Sequence, residues 1–181
     1  MTIANSTDGI WVNDDTLRVK YGRAEAVKGN AGEFNMPSST HVSEIDVNFT
    51  GVALGTGATV VYIHDYDTVF PDTAIVEKIE FVTGTAWATD TDISFGIVKR
   101  SDFTTIHDAD GLVAALILAA RNVAGETTVI LPGGTYAGAL MGVQAGIGFD
   151  GVVCSFWTGA APTAGTGTLR IYWRNGPVTV S

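Results

Sequence analysis

Hydrophobic and polar residues alternate along much of the chain from residue 41 onward, and this alternation predicts short β-strands. Ile45, Val47 and Phe49 are separated by polar residues, which is the period-2 pattern of a strand with one buried face. Glycine- and proline-rich segments separate the alternating stretches and indicate turns. The predicted strands cover residues 44–50, 59–64, 75–82, 93–97, 127–131, 135–143, 149–157 and 166–174.

One segment has a different pattern and predicts an α-helix over about residues 108–121. Leu112 and Leu116 stand four residues apart, the spacing of one helix face. Asp108 is a suitable N-cap, since its carboxylate can accept hydrogen bonds from the free N–H groups of the first turn. Arg121 lies at the negative end of the helix dipole. The sequence therefore predicts one short helix inserted between strands.

Almost every side chain of this predicted helix is apolar, which is typical of a helix buried on more than one side. Two placements follow from that pattern. The helix either plugs an open end of a β-sandwich or packs its outer face on a neighbouring subunit. In the second case Val113 and Ile117 are the candidate subunit-interface residues.

The predicted elements indicate an all-β chain, a jelly-roll-like antiparallel β-sandwich with one inserted helix. An immunoglobulin-like sandwich is the alternative, although its Cys…Trp…Cys spacing is absent. Residues 1–38 show little periodicity and are expected to form an extended N-terminal arm or edge segment. Residues 39–181 are expected to form a single β-sandwich domain.

Charge is distributed unevenly along the chain. The net charge is −9, which argues against nucleic acid as a partner because such binding requires cations that meet phosphates. Four basic residues nevertheless cluster near the N-terminus, and no Lys or Arg then appears before Lys78. The acidic remainder is either simply a solvated surface, or one pole of a molecule whose basic segment docks on an acidic partner. The basic residues are Arg18, Lys20, Arg23 and Lys28.

The motifs for catalysis, cofactors and metals are missing or out of context. The three histidines stand alone in sequence, and the single Cys154 excludes a multi-cysteine metal site. Gly146 to Gly151 fits G-x-G-x-x-G, but it opens a predicted strand instead of a helix. We therefore expect no catalytic residues, no cofactor and no metal.

The four tryptophans are scattered, and core or interface packing explains them more simply than a sugar-binding face. No secretion signal or membrane span is recognisable, so a soluble protein without a membrane partner is expected.

Four stretches of the sequence carry a resemblance to a known family: PDTAIVEKIEF (71–81), DISFGIV (92–98), TIHDADGLVAA (105–115) and GTGTLRIYW (165–173). Together they resemble the small jelly-roll decoration (cement) proteins in the virions of short-tailed bacteriophages. The similarity extends over roughly residues 40 to 175 and leaves the N-terminal segment unplaced.

The resemblance implies a non-enzymatic virion structural protein that binds the outer face of the shell made by the major capsid protein. Such proteins are made in the host cytoplasm, often form homotrimers, and clamp neighbouring capsomers against the pressure of the packaged DNA. The basic residues of the N-terminal segment are then the candidates for capsid contact. Two alternatives stay open: a head-fibre or tail module that recognises a surface glycan of the host, and a metal-dependent jelly-roll enzyme.

Overall fold

A computed structural model describes residues 10–13, 18–21, 40–49, 57–87, 92–144, 146, 150–159, 162 and 164–176. The chain divides into two compact units, Met1–Ser39 and Thr40–Ser181, and each is described by itself. In the first unit, strand β1 (Ile10–Asn13) pairs antiparallel with strand β2 (Arg18–Tyr21). Most of the predicted arm lies outside the described residues, so its separation from a domain over 39–181 stays a prediction.

The second unit consists of two antiparallel sheets in a sandwich-like arrangement, which confirms the all-β prediction. One sheet has the strand order β3-β11-β6-β9, and the other has the order β4-β10-β7-β8 with β5 added beside β10. The strands are β3 (His41–Asn48), β4 (Gly57–Ile63), β5 (Val69–Phe70), β6 (Ala74–Thr85), β7 (Asp92–Lys99), β8 (Ile106–Ile117), β9 (Thr127–Ile130), β10 (Gly151–Gly159) and β11 (Thr166–Asn175). Seven of the eight predicted strand segments are therefore strands.

The main core lies between the two sheets. Strands with one solvated face contribute alternate side chains to it: Ile79 and Phe81 of β6 lie beside Ile171 and Leu169 of the neighbouring strand β11, and all four are fully buried. Burial of side chains of this size contributes roughly 1.5–3 kcal/mol each. The alternation seen in the sequence thus reports which face of each strand is inside.

A second, smaller apolar cluster covers the opposite face of the five-stranded sheet. It contains Val98 of β7 together with Val152, Cys154 and Phe156 of β10, all buried. Apolar side chains on both faces explain why residues 152–157 show no alternation in the sequence. Partly buried residues from the surrounding segments pack against this cluster: Ile63, Val69, Phe103 and Ala109.

The predicted helix over 108–121 is wrong. Residues 106–117 form strand β8, which pairs antiparallel with β7, and the only helical geometry within residues 106–121 is one 3-10 turn at Leu118–Ala120. Asp108 caps no helix; its carboxylate instead accepts a hydrogen bond from the N–H of Asp110 at 3.3 Å. Tertiary pairing has overridden the local helical propensity.

The apolar pattern of residues 108–121 predicts a helix incorrectly because strand β8 contains bulges and because another segment covers its outer edge. The register with β7 shifts three times, and Ala115 takes a left-handed backbone conformation (φ 49°). The segment 136–140 runs along the outer edge, where its Tyr136 carbonyl accepts from Ala114 N–H and its Gly138 N–H donates to the Leu112 carbonyl. The bulges disturb the period-2 spacing of buried residues along β8. Because segment 136–140 covers the outer edge of β8, few of the residues of β8 between them are polar, and the resulting apolar run also fits a helix.

The predicted strand over 135–143 is also wrong. This segment consists of tight turns and isolated bridges, which include Val113 with Ala137 and Val76 with Met141. Its apolar residues cover the edge of β8 and part of β6 instead of adding a strand of their own. The glycines that separate them allow the close backbone approach, since a Cβ at Gly138 would lie 2.1 Å from the carbonyl oxygen of Asp110.

Candidate interaction surfaces

The outward face of the four-stranded sheet carries a ladder of paired charges. Glu44, Arg170 and Glu80 stand side by side on β3, β11 and β6 because the strands are in register. The Nε of Arg170 lies 2.6 Å from Glu44 Oε1, and the Nε of Arg174 lies 2.7 Å from Glu77 Oε1. Opposite charges on neighbouring strands stabilise the pairing of those strands.

Glu80 is the centre of this ladder. Lys78 Nζ lies 2.9 Å from its Oε1, and the hydroxyl of Tyr172 donates to its Oε2 at 2.9 Å. The ammonium of Lys78 also sits 3.8 Å from the centroid of the Tyr172 ring, a cation–π contact. The hydrogen bond from Lys78, and then that from Tyr172, lowers the pKa of Glu80. Three side chains therefore hold one another in a fixed geometry at the surface.

Exposed apolar residues flank the ladder on both sides. Val42 on β3 is 52% exposed and lies opposite Tyr172. Val129 on β9 is 53% exposed and lies opposite Glu80, and Leu131, two residues further along the chain, is equally exposed. A partner that covers this face would bury apolar groups at the edges and charges that are already paired in the middle, which limits the desolvation penalty.

The residues predicted for capsid contact fall in the first unit. Arg18 and Lys20 belong to β2, which is described only by its backbone pairing. Arg23 and Lys28 lie outside the described residues. Their role in binding stays a prediction, and the ladder on the second unit was not anticipated. The alternation at Thr168, Arg170 and Tyr172 was visible in the sequence, but the partner strands were not.

The two predicted subunit-interface residues have different surroundings. Val113 is fully buried in the main core, where it is in register with Phe95 of β7. Ile117 is 40% exposed at the end of β8. Of the pair, Ile117 is therefore the one whose side chain a second subunit can cover.

A loop at one end of the five-stranded sheet has an organised surface. Asp102 accepts hydrogen bonds from the N–H groups of Thr104 and Thr105 and from both of their hydroxyls. These bonds, led by the Thr105 N–H, hold the pKa of Asp102 down to about 2. Phe103 takes a left-handed conformation (φ 54°), and its ring meets the 55% exposed Tyr66 edge-on at 4.9 Å.

Next to this loop lies a shallow open pocket of about 360 Å³, lined by Lys99, Arg100, Ser101 and Asp150. The lining combines two cations, a hydroxyl and a carboxylate, a mixture that suits polar ligands with several hydroxyl groups. Because the backbone N–H of Phe103 donates to the Lys99 carbonyl, the pocket and the aromatic pair belong to one loop structure.

Several residues that could have formed a chemical site are instead part of the core. Cys154 is buried, and burial raises the pKa of its thiol to about 12, which suppresses its reactivity. Trp87, Trp157 and Trp173 are 2%, 2% and 6% exposed, which confirms core packing for these three; the side chain of Trp11 is not described.

No group of three potential metal ligands occurs among the described residues. The described part of the chain also contains no helix with the length and apolarity needed to cross a bilayer.

Comparison with known proteins reveals a likeness of fold only. No protein-family model and no curated protein matches the sequence. A chain in the solved capsid of Ralstonia phage GP4 aligns with a TM-score of 0.54 at 12% identity, over 82% of this chain and 92% of that chain. A chain in the capsid asymmetric unit of cyanophage Pam1 aligns with a TM-score of 0.47 at 17% identity, over 86% and 97% of the two chains.

Proposed function

We propose that this chain is a non-enzymatic bacteriophage virion protein that binds the outside of the capsid shell and stabilises it. The observation that carries the proposal is the likeness of fold: 82% of this chain aligns with 92% of a chain in the Ralstonia phage GP4 capsid, with a TM-score of 0.54. The sequence resemblance to decoration proteins over residues 40 to 175 supports the same assignment independently. The protein would be made in the host cytoplasm and would end on the outer surface of the virion.

We further infer that the sandwich is a jelly roll. Strands β3 and β11 lie side by side in one sheet, as β4 and β10 do in the other, although long stretches of chain separate the members of each pair. Six of the eight connections from β3 to β11 cross between the two sheets, and β3 and β11, the first and last of these strands, are neighbours. This nesting is the arrangement of a chain folded as two Greek keys.

The proposed mechanism is stabilisation by mass action. A protein that binds the assembled shell and not its separated subunits shifts the equilibrium toward the shell by its binding free energy. Repetition over symmetry-related sites multiplies this effect over the particle. Such a role needs a surface whose shape and charges are held in place. The hydrogen bonds from Lys78 and Tyr172 to Glu80 hold the side chains at the centre of the ladder in this way.

Charge indicates how the two units could divide the binding. Residues 18–28 contain four basic residues and one acidic residue, whereas residues 40–181 contain six basic and 14 acidic residues. A basic segment attracts an acidic capsid surface, and an acidic body remains soluble at high local density around the particle. We propose that Arg18, Lys20, Arg23 and Lys28 contact the major capsid protein.

Co-sedimentation with undecorated capsids tests this assignment. The variants Arg18→Ala/Lys20→Ala and Arg23→Ala/Lys28→Ala should each lose occupancy, and the loss should be larger at low salt, where charge attraction is least screened. The pair Lys99→Ala/Arg100→Ala removes the same charge from the body and serves as the matched control. Equal binding by all three variants and the parent would exclude the basic segment from the contact.

We also propose that the chain associates with itself, as a homotrimer, on the capsid surface. Ile117 supports this because a large apolar side chain at a strand end is left 40% exposed. Light scattering on the free protein should give the molar mass of a trimer, and the Ile117→Asp variant should give that of a monomer. The molar mass of a monomer for the parent protein would contradict the proposal.

A second candidate function is recognition of a host surface glycan by a head-fibre or tail module. The pocket of Lys99, Arg100, Ser101 and Asp150 favours it, together with the exposed Tyr66 nearby. Aromatic faces beside polar groups are a common way to hold sugars. Binding on a glycan array that disappears in Tyr66→Ala, with no binding to capsids, would favour this function over decoration.

A further inference from the structure

Four buried polar atoms that lack hydrogen-bond partners belong to two stretches of chain that lie side by side, residues 83–87 and 121–128. They are Thr83 Oγ1, Trp87 Nε1, Arg121 Nε and Thr128 Oγ1, four of the five such atoms among the described residues. Thr83 is 1% exposed and Trp87 is 2% exposed. A buried donor without a partner costs about 1–3 kcal/mol, so a cluster of four requires an explanation.

The backbone brings these four residues together. Thr83 and Thr128 project from the inner faces of neighbouring strands β6 and β9, since Thr128 is in register with the buried Phe81 two residues before Thr83. The N–H of Trp87 donates to the carbonyl of Arg121 at 3.1 Å, and the Trp87 and Phe81 rings lie 6.3 Å apart. The N–H of Thr83 donates to the carbonyl of Glu126 at 2.8 Å, which joins β6 to the segment after Arg121.

Packing fixes the orientation of the indole and of the guanidinium. A Cβ on Gly165 would lie 2.4 Å from the Trp87 ring, so this glycine lies directly against the indole and restricts it. The guanidinium of Arg121 lies 5.5 Å from the centroid of the Tyr136 ring, and its Nη1 is 3.4 Å from Glu126 Oε1. That long ion pair engages one edge of the guanidinium and leaves the Nε–H on another edge.

All four groups can donate a hydrogen bond, so they favour a ligand that accepts several hydrogen bonds. Arg121 Nε–H and Trp87 Nε1–H can only donate, and both threonine hydroxyls can turn to donate as well. The side chain of Arg121 is only 12% exposed, so its positive charge is poorly solvated and weakly compensated at 3.4 Å. We infer that this part of the sandwich binds a small monovalent anion of the size of chloride, held by Arg121, Trp87, Thr83 and Thr128.

Direct binding to the full chain can be measured with chloride itself. The ³⁵Cl NMR line of a dilute chloride solution should broaden on addition of the protein and sharpen again when unlabelled bromide competes. The broadening should be lost in Arg121→Gln and strongly reduced in Thr83→Val, which keeps the side-chain shape and removes the hydroxyl. Arg174→Gln, which removes an arginine paired with Glu77 on the sheet surface, is the matched control and should broaden the line as the parent does.

Thermal unfolding provides the second readout and shows that the variants are folded. At constant ionic strength, replacement of fluoride by saturating chloride should raise the melting temperature of the parent by roughly 5 °C. The rise should vanish in Thr83→Val while a cooperative transition remains. Equal melting temperatures in both salts, together with equal line widths in the parent and in Arg121→Gln, would overturn the proposal and leave ordered water as the partner of these groups.

Discussion

The imidazole Nε2 of His64 lies 2.9 Å from the hydroxyl oxygen of Ser155, inside an aromatic cluster that joins the two sheets. The rings of Phe49 and Tyr62 lie 5.1 and 4.7 Å from the imidazole. Phe49 follows β3 of the four-stranded sheet, whereas Tyr62 and Ser155 belong to the five-stranded sheet. Burial lowers the pKa of His64 to about 4, because the charged form loses its hydration there.

This burial predicts acid sensitivity. The unfolded chain binds a proton at His64 near pH 6.5, whereas the folded chain binds it only near pH 4, so the free energy of unfolding falls as the pH drops from 6.5 to 4. The loss should be roughly 2–3 kcal/mol, measured by urea unfolding at pH 7 and pH 4.5. In His64→Gln this part of the pH dependence should disappear, whereas the exposed His107→Gln should retain it. The same slope in both variants would contradict the prediction.

The contact between Gly165 and Trp87 predicts that one methyl group added at residue 165 strongly destabilises the fold. Gly165 has φ +94° and lies against the indole, so Gly165→Ala combines backbone strain with a steric clash. We expect a loss of roughly 2–4 kcal/mol in the free energy of unfolding. Gly133 also has a positive φ (+76°), but open space surrounds its Cβ position, and Gly133→Ala should cost only about 1 kcal/mol. Comparable losses in the two variants would show that contact with Trp87 is unimportant.

The strand geometry of β8 predicts that the same substitution affects stability very differently at Val113 and at Ile117. Val113→Asp places a charge in the main core and should prevent folding, detected as loss of the cooperative thermal transition. Ile117→Asp changes a side chain that is 40% exposed and should leave the transition within a few degrees of the parent. A helix with both side chains on one buried face would instead make the two variants equally damaging.

Burial also predicts that Cys154 is inert. Its thiol is fully buried beside Val98 and Val152, and burial raises its pKa to about 12. Reaction with a thiol reagent at pH 8 should therefore be at least about 100-fold slower in the folded protein than in urea. Rapid labelling under native conditions would show that the cluster around Cys154 opens readily.

The strands could be predicted from sequence where one face is buried and the other is solvated. Leu169, Ile171 and Trp173 show this alternation, and β11 lies where it was expected. Strand β8 could not be predicted, because its bulges and the segment over its outer edge remove the alternation and leave an apolar run that also fits a helix. A left-handed residue such as Ala115 has no signature in a single sequence.

The candidate surfaces were harder to foresee than the fold. The ladder around Glu80 depends on the register of β6 and β11, which are separated by about 90 residues along the chain. The proposed anion site depends on residues of two stretches distant in the chain, 83–87 and 121–128, and neither stretch contains a motif for anion binding. Sequence patterns report periodicity within a segment, whereas these sites result from the pairing of segments distant in the chain.

The position of the chain in the virion tests the proposed function most directly. A cryo-EM reconstruction of virions that contain this protein should show sandwich-shaped density, fitted by residues 40–176, at symmetry-related positions on the outer surface of the shell. Particles that lack the protein should release DNA at a lower temperature than complete particles. When the external salt is reduced, which strengthens repulsion within the packaged DNA, they should release it at a higher salt concentration than complete particles do. Density confined to the tail, or complete absence of the chain from purified particles, would contradict a capsid-stabilising role.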